Sequence, residues 1–175
     1  MRMHVTLPVL LLSLLHILPA HAVSEGEAAP QCTLNQMDAR NTPVDWKKQF
    51  AGKVVYVDFW ASWCGPCIQS MPFMEQMAND FRNRGFEVIT INLDEEREAA
   101  EVFLKQHPVK LRSVRDAEGN CALDYGVQAM PSSYLLDREG KVREIFMGFN
   151  PDETASVREK VQRLLAEKPQ PSAKK

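Results

Sequence analysis

The chain has 175 residues, 21 Lys and Arg against 23 Asp and Glu, a formal net charge of −2, and 45% hydrophobic residues. That near balance, with no basic stripe, excludes a nucleic-acid binder and leaves only weak attraction to an anionic membrane surface. Without its N-terminal leader the chain is about 150 residues long, enough for one domain with its own core.

Arg2 supplies a positive start, Val5 to Leu18 an apolar run, and Ala20-His21-Ala22 a small-x-small cleavage pattern. The apolar run is about 14 residues, short of the about 20 that span a bilayer. A cleaved signal peptide over 1–22 is expected, leaving Val23 as the N-terminus, with an uncleaved signal-anchor as the alternative. No small-residue lipobox precedes Cys32, which argues against a lipoprotein. Residues 23–30 are rich in Ala, Glu and Gly and read as loose.

The body of the domain, 31–167, alternates between periodicities. A helix is expected over 43–50, closing at Gly52, and a buried apolar strand over 54–59. The helical pattern 68–84 stops at Gly85, and 86–93 is a second apolar strand. A helix over 96–107 places Ala99, Val102 and Phe103 on one face and ends at Pro108. A strand over 111–115 and a short helix over 121–125 follow. Strands 132–136 and 142–147 flank Asp137-Arg-Glu-Gly-Lys141, a hairpin signal, and 151–166 is a final amphipathic helix. The tail, 168–175, is polar and expected to be disordered. This order predicts an α/β domain: a central mixed sheet with helices on both faces.

The chemistry concentrates at the end of the first apolar strand, where Cys64-Gly65-Pro66-Cys67 leads into a helix. Two thiols at that spacing can close a small disulfide and reopen it. Only the thiolate attacks a disulfide, and a helix N-terminus stabilises negative charge, so the pKa of Cys64 is expected to fall from about 8.5 toward roughly 7. Cys64 comes first and lies nearer the exposed turn, so it reads as the attacker and Cys67 as the resolving thiol. Pro66 suits a first helical turn, where its missing N–H costs nothing. A zinc site would need two more ligands, but Cys32 and Cys121 are isolated and no His-x-x-x-His follows. Asp58 stands inside the apolar strand, on the same face as Tyr56 and Trp60. Burial raises a carboxyl pKa, and a buried acid there could accept the proton of Cys67. A solvent-facing aspartate on an edge strand is the competing reading.

Val57-Asp-Phe-Trp-Ala-Ser-Trp-Cys-Gly-Pro-Cys67 resembles the active-site segment of thioredoxins. Ala51-Gly-Lys-Val-Val, and Tyr125-Gly-Val-Gln-Ala-Met-Pro-Ser-Ser-Tyr-Leu-Leu-Asp-Arg-Glu-Gly-Lys141, narrow the likeness to the TlpA/ResA-like branch of envelope thioredoxins. The resemblance implies a thioredoxin fold with an extra helix-strand unit near 95–115. It implies Cys64 as nucleophile, Cys67 as resolver and Asp58 as buried acid. It also implies Pro131 as the cis-proline beside the disulfide, Pro72 as a helix-kinking proline and Glu95 as an acid near the site. Trp63, Gly65, Pro66 and Met130 would join Glu95 in meeting the substrate, with Trp60 in the core. Thr90 stands where cytoplasmic thioredoxins place a lysine against the buried acid, so the pKa of Asp58 is expected to be higher here.

The function implied is a periplasmic thiol–disulfide oxidoreductase, acting as a reductant because Gly-Pro is the thioredoxin dipeptide. Its partners would be disulfide-containing envelope proteins, cytochrome c maturation factors among them, and a DsbD- or CcdA-like membrane reductase that recharges it. It would work as a monomer, with no cofactor and no metal. An oxidant or isomerase is one alternative. A thioredoxin-fold copper chaperone is another, although such proteins add a late histidine and none follows His107. His107 itself reads as a helix-end residue, and Met71, Met74 and Met77 as core packing rather than a substrate groove. Cys32 and Cys121 stay open between a structural disulfide, two free thiols and a redox relay.

Overall fold

The computed structural model describes residues 22–37 and 42–168. Nearly all of the expected signal peptide and tail therefore lies outside the described residues.

The elements, in chain order, are β1 (Leu34–Gln36), β2 (Pro43–Val44), α1 (Trp46–Phe50), β3 (Val54–Trp60), α2 (Cys67–Phe81), β4 (Phe86–Asn92), α3 (Arg97–Gln106), β5 (Arg112–Arg115), α4 (Asn120–Tyr125), β6 (Ser132–Leu136), β7 (Val142–Met147) and α5 (Thr154–Ala166). One seven-stranded sheet runs in the order β2-β1-β5-β4-β3-β6-β7. β3–β4 and β4–β5 are parallel and the remaining pairs antiparallel. The mixed α/β architecture is the one the alternating pattern predicts, and α3 with β5 forms the expected additional helix-strand unit.

β3 explains the layering. All seven of its residues are buried because it lies inside the sheet with helices on both sides. Val54, Tyr56 and Trp60 face one core, filled by Met71, Met74, Met77 and Phe81 of α2, Ala100 and Phe103 of α3, and Val157, Val161 and Leu164 of α5. Val55, Val57 and Phe59 face the other, with Phe50 of α1 and Cys121, Ala122 and Tyr125 of α4. The methionine stripe of α2 is core. Each such fully buried side chain contributes roughly 1.5–3 kcal/mol.

The β6–β7 turn is built by Asp137, whose Oδ1 accepts from the N–H groups of Glu139 and Lys141 at 3.0 and 2.9 Å. Gly140 takes the left-handed conformation that closes it, at φ 77°.

Four expectations change. The helix expected over 43–50 starts only at Trp46. Pro43 and Val44 form an edge strand against β1, where a residue lacking an N–H is tolerated, and Asp45 Oδ1 accepts from the Lys48 N–H at 3.0 Å to start the helix. In α3 the buried face is Ala100 and Phe103, whereas Val102 is 54% exposed. The periodic stripe is thus rotated by about a residue from the expected one. The second helix spans Cys67–Phe81, and Arg82–Arg84 is a 3-10 turn ended by Gly85. The segment 23–30, expected to be loose, is tied down. Ala28 bridges Lys141, the Gly26 N–H reaches Val142 O at 2.7 Å, and Val23 is buried.

Candidate active site

β3 ends at Trp60, and the turn that follows delivers two sulfurs to the start of α2. The Cys64 N–H donates to Ala61 O at 3.0 Å, and the Cys67 N–H to Cys64 O at 3.1 Å. Cys67 is the first residue of α2, and Pro66 occupies the capping position. Cys64 and Cys67 are joined in a disulfide, with Sγ–Sγ 2.03 Å and Cα–Cα 5.4 Å. Cys64 is 3% exposed and Cys67 fully buried. The residues around Cys64 are open: Gly65 and Pro66 are exposed and Trp63 is 72% exposed, whereas Trp60 is buried. The turn thus presents one sulfur edge, framed by an indole and two small residues.

Asp58 is fully buried on β3. Alternation places it on the face of Tyr56 and Trp60, the face whose core also contains Cys64 and Cys67. Its neighbours across the sheet are Thr90 on β4 and Ser133 on β6. The Ser133 hydroxyl donates to Asp58 Oδ1 at 2.6 Å, and Oδ2 accepts no hydrogen bond among the described residues. Burial pushes the Asp58 pKa from 3.8 up to about 7, with the Ser133 hydrogen bond opposing the rise. A carboxyl poised there can take or give a proton at neutral pH. Thr90 points its hydroxyl elsewhere, at 2.8 Å from Ser113 Oγ and 3.3 Å from Arg112 O.

The Met130-Pro131 peptide is cis. Ser132 pairs with Phe59, so buried Pro131 and half-buried Met130 lie beside the end of β3 that carries the cysteine turn. Met147, opposite Ser132, is 59% exposed and extends the apolar rim. Glu95 is exposed in the loop after β4.

Its neighbour Asp94 makes the contact with the cysteine turn, a residue that sequence reasoning missed. Asp94 is 5% exposed, and its carboxylate accepts from the Ser62 N–H at 3.1 and 3.0 Å, from Ser62 Oγ at 2.9 Å and from Asn92 Nδ2 at 2.7 Å. Ser133 was missed as well. A serine in a strand carries no signal until the antiparallel register sets it opposite Asp58.

Cys32 and Cys121 are joined in a second disulfide, 89 residues apart in sequence and with Cα–Cα 5.3 Å. They belong to the core on the other face of the sheet. The His107 ring packs at 4.9 Å from that of Phe103 at the end of α3.

A Cys-x-x-Cys pair at a helix start, a buried acid on the preceding strand and a cis-proline beside them define a thioredoxin-fold redox protein. The chain matches the redoxin family over residues 24–161. It is 32% identical over 123 residues to the thiol-disulfide oxidoreductase ResA of Bacillus thuringiensis subsp. konkukian, spanning 70% of this chain and 69% of that protein. With ResA of Bacillus subtilis the identity is 30% over 127 residues, spanning 73% and 69%. Among solved structures, a thiol:disulfide interchange protein DsbE from Chlorobium tepidum is 37% identical, with a TM-score of 0.77, covering 83% of this chain and all of that one. A protein disulfide isomerase from Bacteroides thetaiotaomicron is 30% identical, with a TM-score of 0.74, covering 83% and 92%. The chain belongs to the redoxin family, in its ResA-like branch of thiol–disulfide oxidoreductases. It is a protein-disulfide oxidoreductase, and its substrates are disulfide-containing proteins.

Proposed function

We propose that the protein is a periplasmic reductant of envelope protein disulfides, with Cys64 as nucleophile, Cys67 as resolving thiol and Asp58 as proton acceptor. The observation that carries this reading is the placement of both sulfurs at the N-terminal end of α2, on the sheet face that holds buried Asp58. Cys64 thiolate attacks one sulfur of the partner disulfide. A Cys64–partner bond forms, the partner's own S–S bond breaks, and one partner thiolate leaves. Cys67 gives its proton to Asp58 and attacks Cys64 Sγ. The Cys64–Cys67 bond forms and the second partner thiolate is released. Two electrons pass from this chain to the partner, whose two thiolates take up protons.

Trp63, Gly65, Pro66, Met130 and Glu95 are the surface offered to the incoming chain, with Pro131 shaping the edge beside the sulfurs. Apocytochrome c and proteins of cytochrome assembly are the targets, reached as a monomer, and a DsbD- or CcdA-like membrane protein restores the dithiol. The leader pattern at 1–22 supports the envelope location, and no helix among the described residues is long and apolar enough to cross a membrane.

Insulin reduction tests the activity: wild type is active and Cys64→Ser inactive. Cys67→Ala accumulates a mixed disulfide with its targets. The Gly-Pro dipeptide sets the expected potential near the thioredoxin value of about −270 mV. A potential above about −180 mV would make the protein an oxidant or isomerase. Copper binding without reductase activity would make it a metallochaperone.

A further inference from the structure

We propose that Ser133 is a positioning residue for the redox reaction: its hydroxyl holds Oδ1 of Asp58 and so assigns Oδ2 as the atom that takes the Cys67 proton. The proposal rests on the reading of Asp58 as proton acceptor and goes one residue deeper.

The register supplies the geometry. Asp58 and Ser133 are direct partners across the antiparallel β3–β6 pair, so their side chains share one face at the closest cross-strand spacing. Ser133 is 4% exposed and Asp58 fully buried, so no bulk water competes for the 2.6 Å bond. On the other side Thr90 is the direct partner, and its hydroxyl is engaged with Ser113 and Arg112. Ser133 is therefore the sole side-chain donor to Asp58 among the described residues, and it reaches one oxygen only.

The chemistry then selects the other oxygen. A hydroxyl donating to Oδ1 is compatible with an ionised carboxylate and with an acid whose proton sits on Oδ2. It is lost if the proton sits on Oδ1. Oδ2 is buried and without a partner, so it is the acceptor left over. A neutral donor also differs from a cation. It strengthens when the carboxylate ionises, yet it stays bonded when the acid is neutral, so the group can cycle without losing its orientation.

Among the described residues, burial and the Ser133 hydroxyl are the causes that act on Asp58, with no charged group beside them. Tyr56 on the same strand is titratable, but burial and the Asp58 charge push its pKa far up, keeping it neutral. The cysteine turn contributes Cys64 to this core, α2 contributes Cys67, Met71 and Met74, α3 contributes Ala100 and Phe103, and α5 contributes Val157 and Val161. β6 adds Leu135, and β4 adds Val88 and Thr90. Among the described residues of this core, the reacting thiols are the titratable groups that the cysteine turn and α2 bring to it.

The test follows the Asp58 carboxyl by carbon NMR in the reduced protein, together with the pH dependence of mixed-disulfide resolution in single turnover. Ser133→Ala is expected to raise both midpoints by about one pH unit, and Ser133→Thr, which keeps the hydroxyl, to return them toward wild type. Asp58→Asn is expected to erase the pH-dependent limb. If Asp58→Asn erases the limb but Ser133→Ala leaves both midpoints where they were, Ser133 has no positioning role and the reading of Asp58 survives. If Asp58→Asn leaves the limb in place, the acceptor reading fails and this proposal falls with it.

Discussion

Asp58 carries a cost that can be measured without any substrate. Its pKa rises from 3.8 to about 7 on folding because the folded state withholds water from the charge. Between those values the folded chain binds more protons than the unfolded one, so stability falls as pH rises. The contribution is fully present below about pH 4 and is lost as pH passes through about 7. Asp58→Asn removes the ionisation, so it should stabilise the protein at about pH 8 by on the order of 4 kcal/mol and change little near pH 4. Urea denaturation at the two pH values checks this, and an equal effect at both would contradict it. At the residue scale the apolar run around Asp58 made its burial legible in the sequence. Its partner was not legible, because the Ser133 hydroxyl becomes significant only once β3 and β6 are in register.

At the scale of elements, the cysteine turn is held from outside its own segment. Ser62 and Asp94 are 32 residues apart, yet the Asp94 carboxylate takes both the N–H and the hydroxyl of Ser62. The loop that follows β4 thereby fixes the start of the turn that presents Cys64. Asp94→Ala would leave the Ser62 N–H without its acceptor and should cost roughly 1–3 kcal/mol. Faster amide exchange at Ser62 and a lowered urea midpoint are the expected signatures; an unchanged Ser62 amide would show the turn to be held elsewhere. The strands around this turn were readable because both of their faces are buried and apolar. The β1–β2 pair was not, since it is five residues in two short pieces whose identity comes from β1 pairing with β5 and β2 with β1. For α3 the helix was legible but its buried face was not, because Ala99, Ala100, Val102, Phe103 and Leu104 permit more than one apolar stripe.

Across the molecule, the first described residues, from Val23 to Cys32, are fastened by hydrogen bonds to the β7 edge and to Asp124 and by the Cys32–Cys121 bond. That bond closes a loop of 89 residues, which the chain-entropy model values at about 4–5 kcal/mol. Replacing both cysteines by serine should therefore lower stability by about 2–4 kcal/mol and leave insulin reduction intact, as measured by denaturation and by turnover. Loss of turnover in a folded double variant would instead make the pair a participant in electron transfer. Composition and the cysteine count left this pairing open. In the structure α4 brings Cys121 to the core that receives Cys32, and the two are joined.

The two sulfur pairs lie on opposite faces of one sheet, one among the residues packed under α2 and the other among those under α1 and α4. The strands of the sheet lie between them. If Cys64 is the reacting thiolate, the sheet stands between it and the Cys32–Cys121 bond, so repeated discharge of the one couple is expected to leave the other oxidised.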